Sequence, residues 1–254
     1  VVFAITSSDT GESTVTSALT FTNGNWNTPQ TVTVTGVDDD LVDGTISSTI
    51  TVSVNDGSSD NNFDPVANQT VTATTTDNDV AGFTIAQTGG STSVAETGTT
   101  DTFTIVLNAQ PSSDVVISIS SSDTGEATVT STLTFTNANW NTAQTVTVTG
   151  VDDNIIDGNI NSTITIAVID AISDNDFDDV ANQTVTATTT DDDVAGFTIV
   201  QTDGSTSVAE SGTTDTFTVV LNAQPASNVV LTVTSSDTGE ATVNSPLTFT
   251  SGNW

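Results

Sequence analysis

The chain has 254 residues, 32 of them Asp or Glu and none Lys, Arg or His, which gives a formal net charge of −32. With no cationic side chain it cannot hold a phosphate backbone, so nucleic acid and anionic lipid are excluded as partners. Cys is absent too, so there is no disulfide, no thiol chemistry, and little that could serve as a nucleophile–base pair. The apolar residues are mainly Val, Ile, Ala, Leu and Phe, interleaved with Thr and Ser. Their regular spacing sets this chain apart from a disordered polyanion and predicts strands. No run of about 18 apolar residues could cross a membrane.

The chain repeats itself. SSDTGE stands at 7–12, 121–126 and 235–240, and Asn-Trp at 25–26, 139–140 and 253–254. VAGFTI stands at 80–85 and 194–199, and ANQTVTATTTD at 67–77 and 181–191. All share a period of 114 residues, too long for a solenoid unit and matched to a whole domain. The expected division is 1–78 as the later strands of one repeat, 79–193 as a complete repeat, and 194–254 as the first strands of a third. Both ends fall in mid-repeat, as expected of a window on a longer array; the alternative is a subunit whose ends complement each other between chains.

The complete repeat yields a strand list by alternation. GFTI (82–85) turns Phe83 and Ile85 inward, and TSV (92–94) is a short second piece. TFTIVL (102–107) buries Phe103, Ile105 and Leu107; DVVISIS (114–120) buries Val115, Ile117 and Ile119. TLTFT (132–136) buries Leu133 and Phe135, and TVTVT (145–149) buries Val146 and Val148. STITIAV (162–168) and QTVTAT (183–188) close the list, with Ile164, Ile166, Val168, Val185 and Ala187 inward. Seven short strands with polar turns predict tandem immunoglobulin-like antiparallel β-sandwiches, an all-β fold.

If the strands run alternately up and down, four loops share one end. They carry Glu96; Asp123 and Glu126; Asp152, Asp153 and Asp157; and Asp191, Asp192 and Asp193. Two such charges 4 Å apart repel by about 1 kcal/mol in water and about 4 at an effective dielectric of 20. A divalent cation reverses that sign. Only hard oxygens are available, which suits Ca²⁺, and Mg²⁺ less well. The last acidic run leads directly into the next VAGFTI, so the site falls at a junction between repeats. The loop 170–183, with Asp174, Asp176, Asp178 and Asp179, is expected to face the preceding junction, where it either adds ligands across the joint or is simply solvated. Trp26, Trp140 and Trp254 read as lids on the sandwich end, or as sugar platforms. Asn68, Asn161 and Asn182 lie in N-x-S/T sequons, though the chain has a bacterial look and glycosylation is not expected by default. A two-carboxylate glycosidase is formally open, but acids in short loops repeated in every unit do not form a cleft.

SVAETG (93–98), TVTVTGVDDNIIDG (145–158) and TTDDD (189–193) resemble the Calx-beta domain, known from sodium–calcium exchangers and many bacterial surface proteins. The resemblance covers essentially the whole chain. It implies Ca²⁺ ligation by Glu96, Asp152, Asp153, Asp191, Asp192 and Asp193. Where the family has a Glu soon after the Asp pair, this chain has Asp157 and Gly158; Asp123 joins the set on the loop argument alone. The repeat carries the assignment to Asp38, Asp39, Asp43, Asp77 and Asp79 in the first unit and Glu210 in the third. The expected function is a calcium-stabilised array forming the stalk or filament of an extracellular, adhesin-like surface protein. Its partners are then adjacent repeats, with lateral or end-to-end self-association. A glycan-binding module and a calcium sensor are the alternatives.

Overall fold

The computed structural model describes residues 1–254. It is all-β, with no helix longer than one 3₁₀ turn. The first part contributes β1 (Val2–Ser7), β2 (Ser13–Val15), β3 (Ala18–Thr20), β4 (Val34–Gly36), β5 (Ile46–Val54) and β6 (Gln69–Thr75). The central part contributes β7 (Phe83–Gln87), β8 (Thr92–Ala95), β9 (Thr100–Leu107), β10 (Val115–Ser121), β11 (Ala127–Val129), β12 (Thr132–Phe135), β13 (Gln144–Gly150), β14 (Ile160–Val168) and β15 (Gln183–Thr190). The last part contributes β16 (Phe197–Gln201), β17 (Phe217–Leu221), β18 (Val229–Leu231) and β19 (Leu247–Phe249).

The central strands form two sheets, ordered β12-β10-β14-β15-β8 and β11-β13-β9-β7. Their inner faces, with Phe177 from the loop between β14 and β15, supply one core of 17 buried residues. Phe103, Ile105, Phe135, Val146, Ile164 and Ile166 are all fully buried, as alternation required. Each such side chain contributes about 1.5–3 kcal/mol by leaving water. Thr fills the outward positions, where a β-branched polar residue suits a solvated pleat.

Two features depart from a purely antiparallel seven-strand reading. β11 is an extra strand, a three-residue piece paired with β13. β8 runs parallel to β15, with Thr92 opposite Ala187 and Ala95 opposite Thr190. A parallel pair needs no local turn, so its partner, some 95 residues away, left no trace in the TSV segment. The same pairings recur around the central sandwich. Val116↔Thr134 in β10–β12 is matched by Val2↔Thr20 in β1–β3, and Phe83↔Leu107 in β7–β9 by Phe197↔Leu221 in β16–β17.

Candidate metal centre

Four segments meet at the end of the central sandwich where β13 and β15 finish. β8 arrives along β15, and one residue beyond the ladder the Glu96 N–H donates to the Thr190 oxygen at 3.1 Å. That bond turns the Glu96 side chain under the loops, leaving it 1% exposed. Gly150, the last residue of β13, makes room. A Cβ there would overlap the Ala95 carbonyl oxygen and lie 2.8 Å from its carbon. Glu126 enters from the turn after β10, its carbonyl oxygen accepting from Val151 N–H at 2.8 Å and Thr189 Oγ1 at 3.2 Å. Asp157 comes from the loop after β13, and Asp191 and Asp193 from the end of β15.

Carboxylate oxygens of Glu96, Glu126 and Asp157 lie within 4.8 Å of one another, as do those of Glu96, Asp191 and Asp193. Both Glu96 oxygens, Glu126 Oε2 and Asp193 Oδ2 are buried without a hydrogen-bond partner. Burial pushes the Glu96 carboxyl up to about 7; the Asp192 N–H pulls the other way without reaching hydrogen-bonding geometry, and the charges of Asp191, Asp153 and Glu126 raise it further. Burial, then acidic neighbours, also raises Glu126, Asp157 and Asp193. Asp191 alone in the cluster is lowered, because Gly158 N–H donates to it at 2.8 Å and Asp193 N–H at 2.7 Å.

An unpaired buried carboxylate is among the costliest groups a fold can carry; with no Lys or Arg available, it is relieved either by taking up a proton or by a cation from outside the chain. The donors are all oxygen. They fit a hard cation such as Ca²⁺, which takes six to eight oxygens and tolerates irregular geometry. Glu96 belongs to both trios, so it would be a ligand whichever trio held a cation.

The remaining sequence candidates sit around this centre. Asp153 Oδ1 accepts from Ile155 N–H at 2.6 Å and shapes the loop, as Asp39 does from Leu41 N–H at 2.9 Å. Asp152 and Asp192 are exposed at the rim and act on Asp193 through their charge. Asp123 and Glu126, from one hexapeptide, differ in role. Asp123 is exposed, and its Oδ1 accepts from Gly125 N–H at 3.0 Å in a tight turn that Asp9 and Asp237 repeat. Glu126 is the residue aimed into the cluster; the ligand set read from the sequence left it out. Its signal was the second acid of SSDTGE, and that of Gly150 the glycine ending TVTVTG.

In the first unit Asp77 repeats the part of Asp191, accepting from Asp43, Gly44 and Asp79 N–H at 3.1, 2.9 and 2.7 Å, and is likewise lowered. Burial, then neighbouring carboxylates, raises Glu12, Asp43 and Asp79, with Asp39 and the exposed Asp38 contributing charge. Glu210, by contrast, is exposed and joins no cluster: no strand lies beside 206–209, and the segment 114 residues after β15 that would match it falls past residue 254. Asp174 also departs from expectation. It is buried, and its carboxylate is already taken by Ser112 Oγ at 2.8 Å, Ser113 N–H at 2.7 Å and Asp176 N–H at 3.2 Å. Those bonds outweigh its burial and lower it, so it pins the loop before β10. Trp140 packs on the core, as a lid would; Trp26 is 70% exposed.

No protein-family model matches the chain, and no curated protein matches it. Among solved structures, domains 4 and 5 of the S-layer protein SbsC are similar at 19% identity and a TM-score of 0.35, over 74% of this chain and 70% of that one. The apo-form Calx CBD1 domain is similar at 14% identity and a TM-score of 0.32, over 44% of this chain and 98% of that one. CBD12 from CALX1.2 follows at 17% identity and a TM-score of 0.33, over 50% of this chain and 51% of that one. These scores are low, and the sandwich assignment rests on the strand pairing above.

Proposed function

We propose that this chain works as a calcium-stabilised array of immunoglobulin-like sandwiches, the stalk or filament of an extracellular surface protein. Residues 79–193 are one complete repeat, 1–78 the later part of one and 194–254 the first part of another, and the partners of each unit are its neighbours. The role is mechanical rather than catalytic. One observation carries the reading: Glu96 is buried with both oxygens unpartnered, among Glu126, Asp157, Asp191 and Asp193, in a chain without a single cationic side chain. Ca²⁺ held there neutralises the end of one sandwich where the next begins. The Calx-beta-like motifs at 93–98, 145–158 and 189–193 support the same ion, with Glu126 added to the ligands.

The test is thermal unfolding of the 254-residue chain in EDTA and in Ca²⁺. Saturation to a hundred times Kd should stabilise by about 2.7 kcal/mol per site. Equal melting curves in the two buffers would remove the calcium reading.

A further inference from the structure

The loop that presents Asp153 and Asp157 has a second face, turned towards the following unit. Leu41 and Gln110 form an isolated parallel bridge, and Ile155 and Gln224 form another. At the first, Gln110 N–H donates to the Asp40 oxygen at 2.7 Å and Val42 N–H donates to the Gln110 oxygen at 3.2 Å; at the second, Gln224 N–H donates to the Asn154 oxygen at 2.7 Å. The receiving loops are braced from behind. Gln110 Nε2 donates to the Asn137 oxygen at 2.8 Å, and Gln224 Nε2 to the Ser251 oxygen at 3.0 Å. Beside the first bridge Val42 packs against the core of the central sandwich; beside the second Ile156 lines a groove with Phe197, Leu221, Ala223 and Pro225. The bonds across each bridge run between main-chain groups, and the knobs are apolar. Such a contact can join two polyanionic bodies without a counter-charge.

We propose that residues 40–42 and 154–156 are a latch: a short main-chain splice plus an apolar knob, Val42 or Ile156. Its socket is the loop ahead of β10 or β18, edged by Gln110 or Gln224, and the partner it fits is another sandwich of the same repeat. Gln110 is a positioning residue, because its side chain holds the socket loop to the 136–140 turn while its peptide makes the contact. The inference shares with the proposed function the reading of each repeat as a separate sandwich, but it does not depend on calcium. A latch on the same loop as the cation ligands sets the angle between units by direct contact.

Spin labels on Thr20→Cys and Thr134→Cys, both exposed and the only thiols in the chain, report that angle as a distance distribution. In saturating Ca²⁺ the otherwise unchanged full-length chain should give one narrow peak. Val42→Ser should at least double its width, and Gln110→Ala should broaden it less. Circular dichroism should remain unchanged for both, since neither side chain lies inside a strand. Narrow peaks in both variants would overturn the latch. A peak that survives Val42→Ser but is lost in EDTA would do the same, and would assign the joint to the cation. Broadening by Val42→Ser in a chain whose melting ignores Ca²⁺ would uphold the latch and discard the calcium reading.

Discussion

The segment TSVAE occurs twice, at 92–96 and at 206–210, with opposite outcomes. Locally the two copies agree. Ser93 and Ser207 N–H donate to Asp101 and Asp215 at 2.9 and 2.8 Å, and Ala95 and Ala209 N–H to Thr99 and Thr213 Oγ1 at 2.7 Å in both. Both chains then turn through a glycine of positive φ, Gly98 and Gly212. Yet 92–95 is a strand and Glu96 is buried, whereas 206–209 is unpaired and Glu210 lies in solvent. The difference is β15, whose counterpart for the second copy, 114 residues on, falls past residue 254. Short-range bonds shape the turn, but only a distant parallel partner buries the carboxylate and gives it neighbours.

The largest expected effect separates these two glutamates. In EDTA at pH 8, Glu96→Gln should stabilise the central sandwich by about 1–3 kcal/mol, by removing a buried unpaired charge. It should also abolish most of the Ca²⁺-induced shift in melting temperature. Glu210→Gln should do neither. A destabilising Glu96→Gln in EDTA would mean that the carboxylate has a partner within the chain.

Next comes the steric gate. Gly150→Ala drives a methyl into the Ala95 peptide, whereas at Gly36 the nearest atom to a new Cβ is Thr75 Cγ2 at 3.7 Å. Urea denaturation should show a loss of about 1–3 kcal/mol for Gly150→Ala, with weakened Ca²⁺ binding. Gly36→Ala should stay close to the parent chain in both.

The pH dependence has a definite sign. The Glu96 carboxyl titrates near 7 when folded, against 4.5 as its ordinary value, so between those limits the folded chain binds more protons than the unfolded one. Without metal, the melting temperature should therefore fall as pH rises from about 5 to 7.5 and level off above that. Saturating Ca²⁺ should flatten the slope, because the cation keeps the folded carboxyl ionised while the unfolded one is already ionised over this range. Asp77, Asp174 and Asp191 are lowered and set the acid limit: their contribution disappears as pH falls below the ordinary Asp value of 3.8. A metal-free melting temperature independent of pH over 5–7.5 would contradict the burial of Glu96.

The smallest effect concerns what the two copies share. Asp101→Asn and Asp215→Asn weaken the same local bond, so hydrogen exchange at Ser93 and Ser207 N–H should quicken in both. Exchange at the Glu96 N–H should stay slow in the Asp101 variant, since its partner is Thr190.

Alternation of apolar and polar residues was enough to name the strands and their inward faces, from Phe83 to Ala187, because a pleated strand exposes its faces with period two. The recurrence of SSDTGE and VAGFTI, and the absence of Lys, Arg and His, were equally plain before any fold was known. Counting strands brought the right four loops to one end. Contacts that no local pattern carries lay beyond that reading: β8 docked in parallel on β15, the Gly150 contact with Ala95, the choice of Glu126 over Asp123 as the inward acid, and the bridges at Gln110 and Gln224. Each joins residues far apart in the chain through main-chain groups or steric fit. Side-chain identity marks such a position at most, as glycine does at 150, and does not name its distant partner, so only the packed structure could decide them.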